Sequence, residues 1–510
     1  MPRFSRDSRI AFWLFGLFSA LYVLSMGGHG YGGVGTTTYE VTRALILKHS
    51  VAIAPVPWGQ YGRDGQFYAQ YGIGHSLYNL PFYLLGHVVT RLVPSCAAHA
   101  DRLTLFTTLL GQPIISAVTC ALLFLCGRKL GLARRIAVGC ALLYGLGTQA
   151  WMYAQLDFSE PILTACLLAG VYWLLPENFA GVQLSDRACM LAGLCLGLAI
   201  TVKIAAVILL PGWLLWLSGM KRRNRWRKIG LFLLPVSVVG FGIVGAYNWL
   251  RFGNPLATGY DQEFTWYVKD ILWHGWQNFG SLEGSLFLYS PVILLALPGQ
   301  RQFWRQHRRT AGLLWGSIAT LLAFYPFTTN ELYYGPRYLT PTLPYFLLMS
   351  GATLERALTA SPAWLKWAVG ALLALGMAQQ LVGVTVNYHT YYWRIQYAMP
   401  LADAAWQRSE IGQRLRQTPQ LPHLLGHLWL LKHGLGDVFT PGGMPLAGVT
   451  LLPDRTAANA WIPYYGLDLW WLHPKFLAIA GVLGTGLVVI GLLGGIGFAL
   501  YGISTMPYYR

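Results

Sequence analysis

Charge is what this sequence has least of. Asp, Glu, Lys and Arg make up only 11% of its 510 residues, while 55% are hydrophobic and 14% aromatic. A soluble globular domain of this size does not show that balance. Cysteine is scarce too, with seven residues, six of them (Cys120, Cys126, Cys140, Cys166, Cys189, Cys195) in or beside apolar segments and only Cys96 in a loop. There is no disulfide framework, no CxxC or HExxH metal motif, and no strand, helix and lysine of a phosphate-binding loop around GHGYGGVG (28–35), which reads as a flexible link. Internal repeats and low-complexity tracts are missing as well, which argues against a repeat-built transporter.

What is present is a succession of apolar stretches, each near the ~17–25 residues that a helix needs to cross a bilayer. They fall at about 10–26, 103–126, 136–152, 159–176, 188–202, 204–219, 229–249, 286–299, 310–327, 338–354, 365–386 and 476–503. The stretch 188–219 would be about 48 Å long as one helix, so it is divided in two with Lys203 at the turn. Helices are the spanning unit because the runs are too long and too uniformly apolar for barrel strands. The run 10–26 follows a basic start but lacks an obvious small-residue cleavage site, and is read as a retained first helix.

The net charge of +18 would suggest nucleic acid in a soluble protein. Here the basic runs 3–9, 128–135, 221–228 and 301–309 flank apolar segments, and all fall on one side if 75–93 does not cross. Positive loops stay cytoplasmic, so that side is the cytoplasm, no nucleic-acid partner is expected, and 75–93 lies in the outer interface. The predicted architecture is an all-α polytopic membrane protein with about twelve spans. Residues 1–386 form the core with an outer loop at 27–102, 387–475 form a small outer segment, and 476–510 carry the last helix and a short tail.

Ionisable groups at a membrane boundary cost ~2.5–3.5 kcal/mol at the bilayer centre and therefore face cavities. Glu40, Arg63, Asp64, Asp157, Glu160, Lys203, Asp261 and Arg337 all map to the outer side under this topology. In YYGPRY (333–338), Gly335 permits a turn, Pro336 fixes the next helical turn, and Arg337 stands at a helix start suited to gripping phosphate. The alternative is an arginine snorkelling to lipid headgroups. Lys203 carries the same two readings. In DFSEP (157–161), Asp157 and Glu160 are three apart, hence on one helix face, as a base, a ligand pair or a cap with Ser159.

Six segments stand in order along the chain: YEVTRAL (39–45), GRDGQFYAQYGIGHSL (62–77), DFSEP (157–161), YNWLRFGNPLATGY (247–260), FLYSP (287–291) and GPRYLTPTLP (335–344). Together they resemble the GT-C superfamily of membrane glycosyltransferases, in its branch of lipid-carrier-dependent protein O-mannosyltransferases and aminoarabinose transferases. The resemblance implies a GT-C-like helical bundle in a bacterial inner membrane, a site facing the periplasm, and a polyprenyl-phosphate sugar as donor. The acceptor is a glycan, lipid or protein hydroxyl, transfer proceeds with inversion, and no cofactor is required. A carboxylate would act as base, with Glu40 first and then Asp157 and Glu160, while Arg337, Lys203 and Arg63 would hold the donor phosphate. Asp64, Tyr260, Asp261 and Tyr334 are expected to bind substrate. One departure stands out: relatives carry an acidic residue soon after the first helix, where this chain reads GVGTTT (33–38). That leaves a noncatalytic subunit of a membrane complex as the alternative, with a transporter or flippase behind it.

Overall fold

The computed structural model describes residues 5–56, 58–175, 184–219, 224–260, 265–328, 334–359, 363–386, 421–438, 467–472 and 474–505. Asp261 and most of the expected outer segment 387–475 lie outside the described residues. The described residues are mostly helical, and among them six helices are long and apolar enough to cross a membrane: Arg6–Ser25, Ala100–Lys129, Arg225–Phe252, Arg308–Phe327, Ala363–Thr385 and Ile479–Ser504. Two shorter apolar helices, Glu160–Leu174 and Ile204–Ser218, accompany them. The helix Ile73–Leu92 contains Pro81 and is not among the six.

The all-α expectation needs a small correction. Gly59–Tyr61 and Phe67–Ala69 pair antiparallel within the first long loop, with Gly59 opposite Ala69. Asp64 and Gly65, at φ +75°, turn the chain between them. The link at 28–35 is also corrected, because Gly33–Gly35 open the helix Gly33–Leu47. Their lack of a side chain serves close packing: a Cβ on Gly33 would meet the Trp58 ring, and one on Gly35 would meet Asp157.

One extended core joins the helices. The first helix, Arg6–Ser25, packs on Gly111–Lys129 and on the C-terminal helix Pro474–Ser504. In the helix Asp186–Val202, Gly193 and Gly197 form a small-xxx-small seam that lets the backbone of 232–240 approach closely. Helices in lipid associate by that kind of contact, since apolar burial gives no preference for protein over acyl chains. After Val202 the chain breaks at Lys203, which is extended (φ −147°, ψ 112°), and resumes as the 3₁₀ turn Ile204–Leu209 and the helix Leu210–Ser218.

Candidate functional site

That break places Lys203 opposite the start of the helix Glu160–Leu174. Lys203 Nζ donates to Glu160 Oε1 at 2.8 Å, and Arg337 Nε lies 3.9 Å from the same oxygen. Glu160 is only 1% exposed and Arg337 only 5%, so this is a buried cluster of two cations around one carboxylate. Aromatic rings wall it: Lys203 Nζ sits 3.8 Å from the Tyr338 ring centroid, and Tyr325 stacks on Tyr338 at 4.9 Å. The Arg337 guanidinium lies 4.7 Å from the Phe158 ring and donates through Nη2 to the Tyr338 hydroxyl at 2.7 Å. Cation–π contact is stronger where both partners are desolvated, as they are here.

Local backbone chemistry fixes Arg337. Gly335 adopts φ +81°, a conformation open to glycine at no steric penalty, and so turns the chain into the 3₁₀ helix Arg337–Thr342. Gln149 clamps the turn by donating through Nε2 to Pro336 O at 3.1 Å and Thr340 Oγ1 at 2.9 Å.

Asp157 and Glu160 do not share one helix face. The helix begins only at Glu160, and Ser159 makes no side-chain cap. Asp157 therefore precedes the helix and turns away, to accept the Tyr31 N–H at 3.3 Å on Oδ1 and 3.2 Å on Oδ2. Burial pushes its carboxyl up to about 7, with the Tyr31 N–H opposing the rise. Beside it is a cavity bounded by Gly35, His75, Asn79, Gln112 and Asp157, of about 10 Å³, room for roughly one water. Gln112 Nε2 donates to His75 Nε2 at 3.0 Å, which puts the imidazole proton on Nδ1. Burial lowers His75 to about 4, so it stands neutral, and Nδ1 has no hydrogen-bond partner among the described residues.

Behind Asp157 is a second buried constellation that no sequence signal marked. His29 Nε2 lies 2.7 Å from Asp468 Oδ1, and the Tyr31 hydroxyl donates to Asp468 Oδ2 at 2.6 Å. Burial by itself would lower His29, but the Asp468 carboxylate outweighs it and the imidazole is raised. Asp468 is anchored in turn by its N–H to Thr385 O at 2.8 Å. These partners are 437 and 439 residues apart, a separation that periodicity and spacing cannot bridge.

The other expected site residues lie elsewhere. Glu40 is half-buried with Arg43 at 3.7 Å, and Arg43 reaches Asp101 at 3.6 Å. Glu40 follows Gly35 by five residues, about 140° round the helix, so it points away from the Asp157 contact. Its carboxyl is raised by burial, with Arg43 acting against that. Arg63 and Asp64 are exposed at the hairpin tip, Arg63 lying 5.6 Å from the Trp249 ring and Asp64 accepting the Tyr68 hydroxyl at 2.7 Å. Tyr260 meets Tyr71 edge to face at 6.1 Å. Tyr334 is buried against Tyr289 and His427, donating to Gln379 O. Among the described residues no group of three or more His, Cys, Asp or Glu is placed to hold a metal ion.

No family model matches the chain. Undecaprenyl phosphate-alpha-4-amino-4-deoxy-L-arabinose arabinosyl transferase from Pseudomonas aeruginosa is 25% identical, covering 71% of this chain and 62% of that protein. Its counterpart from Pseudomonas paraeruginosa is 24% identical with the same coverage. The sequence likeness is to GT-C superfamily glycosyltransferases. The chain spans about 62% of the length of these curated relatives. Among solved structures, ArnT from Cupriavidus metallidurans bound to undecaprenyl phosphate aligns over 82% of this chain and 84% of that one, with a TM-score of 0.46 and 14% identity. The Archaeoglobus fulgidus oligosaccharyltransferase aligns over 80% of this chain and 60% of that one, with a TM-score of 0.48 and 11% identity.

Proposed function

We propose that the protein transfers a sugar from a polyprenyl-phosphate carrier to an acceptor hydroxyl at the periplasmic face of a bacterial inner membrane. The observation that carries this reading is the buried Glu160–Lys203–Arg337 cluster. Two cations, Lys203 and Arg337, gather at one buried place, a grouping suited to the single negative charge of a lipid's sugar-phosphate diester. The fork of Arg337 suits phosphate oxygens, and Tyr338 and Phe158 keep both cations oriented. The curated relatives are named as transferases that use undecaprenyl phosphate, which supports the same donor class.

Asp157 is the base in this proposal. A carboxyl raised to about 7 is half-ionised near neutral pH and takes a proton effectively there. An acceptor hydroxyl entering in place of a water beside Gln112 and His75 would lie against it. The acceptor oxygen bonds to the anomeric carbon as the bond from that carbon to the phosphate oxygen breaks. The proton passes to Asp157, and the phosphate leaves with its electron pair towards Lys203 and Arg337, giving inversion. About twelve crossings are retained in this reading, four more than the six long and two shorter apolar helices among the described residues.

The test is transfer by purified protein in lipid nanodiscs from a panel of undecaprenyl-phosphate-linked sugars. Arg337→Ala should abolish turnover in a protein that remains folded, and full activity in that variant would remove the phosphate role. A noncatalytic subunit is the second reading, favoured by two facts: 33–38 contain no carboxylate, and Glu40, Asp157 and Glu160 are each engaged by protein partners. Under that reading, Asp157→Asn would leave cellular function intact.

A further inference from the structure

At the Arg6 end of the first helix, the first and last helices border a groove of about 330 Å³, a volume in the range of small-ligand sites. Its lining combines three arginines, Arg6, Arg9 and Arg134, with three aromatic rings, Trp13, Phe498 and Tyr501. The charge there is strongly one-sided. No carboxylate lines the groove among the described residues, and neighbouring Asp7 is already held by Arg134 Nε at 2.6 Å and Arg128 Nε at 3.0 Å. Arg6 and Arg9 are exposed and form no ion pair among the described residues.

The aromatic part of the lining has a different chemistry. Trp13 and Phe498 meet edge to face at 4.9 Å, and Gly502 brings the C-terminal helix against the Trp13 indole, where a Cβ would be 2.6 Å from the ring. Phe498 and Tyr501 are 62% and 65% exposed, so the apolar surface continues from the groove along the outside of two helices that belong to the membrane-spanning set. A guanidinium rim beside a lipid-facing aromatic wall is complementary to one kind of molecule, an anion with an attached acyl chain.

We propose that this groove is a binding site for an anionic phospholipid. Arg6 and Arg9 grip the headgroup phosphate, Arg134 adds its charge from the rim, and the acyl chain lies over Trp13 and Phe498. Basic pockets between spanning helices are a known means of holding anionic headgroups. A soluble anion would gain nothing from the aromatic wall, and a zwitterionic lipid would gain little from the rim. The site ties the N-terminal turn of the first helix to the end of the last, and it does not depend on the catalytic reading.

Native mass spectrometry of the full-length protein, released from detergent containing phosphatidylglycerol or phosphatidylethanolamine, tests this. Retained phosphatidylglycerol should exceed phosphatidylethanolamine at equal lipid concentration. The double variant Arg6→Gln with Arg9→Gln should cut phosphatidylglycerol retention at least fivefold, and Phe498→Ala should cut it with the rim intact. Inorganic phosphate at millimolar concentration should not displace the lipid. Equal phosphatidylglycerol retention by wild type and the double variant would overturn the proposal. So would displacement by phosphate together with an unaffected Phe498→Ala protein, the pattern of a simple anion site.

Discussion

Replacing Lys203 by methionine keeps the length and apolar stem of the side chain and removes its charge. In the folded protein this leaves the Glu160 carboxylate, 1% exposed, without its 2.8 Å donor. Removing one partner of a buried ion pair typically costs ~3–5 kcal/mol, because the remaining charge stays desolvated. Arg337 still stands 3.9 Å from the same oxygen, so the expected loss lies near the lower end, about 3 kcal/mol. Glu160→Gln in the Lys203→Met background should recover part of that loss, since the stranded charge is then gone. The non-additive part of the cycle should be ~1–3 kcal/mol. Equilibrium unfolding of the four proteins in mixed micelles, followed by tryptophan fluorescence, reads these values. If Lys203→Met unfolds within ~0.5 kcal/mol of wild type, or the single losses simply add, the cluster is not the coupled buried unit described here.

Gly35→Ala should displace Asp157, because the new Cβ would fall 1.7 Å from Oδ2 and 2.4 Å from the Asp157 Cβ; turnover should drop at least tenfold with the fold retained by circular dichroism. Transfer should rise with pH through about 7 as Asp157 ionises, and a profile flat from pH 5 to 9 would rule out that residue as base. The same carboxyl, raised from 3.8, still holds its proton in the folded protein between about pH 4 and 7 while the unfolded chain has lost it, so its contribution to stability falls as pH rises across that window. His29 behaves as a raised base: the stabilisation from its Asp468 contact is full below the unfolded value of ~6.5 and is lost as pH rises through the folded value. Melting temperatures of wild type and Asp468→Asn should therefore differ more at pH 6 than at pH 9.

Much of this arrangement was legible in the sequence because it depends on local rules. Lys203 interrupts an apolar run too long for one crossing, and the chain breaks there. The glycine and proline before Arg337 announce the turn that buries it beside Lys203 and Glu160. Other features depend on where the helix ends fall. Asp157 and Glu160 diverge because the helix starts at Glu160, three residues too late to carry both, and Glu40 is turned away by its angular offset from Gly35. The hairpin escaped notice because its strands are three residues each, too short to show alternation. The Asp468 contacts with His29 and Tyr31 are long-range packing, which no single-sequence pattern reports.

The central claim is that Lys203 and Arg337 together receive the phosphate of a lipid-linked donor. An electron cryomicroscopy map of the protein with undecaprenyl phosphate tests it directly. The account predicts phosphate density within hydrogen-bonding distance of both side chains and an isoprenoid tail running outward between helices. A well-resolved carrier whose phosphate sits away from both residues would contradict it.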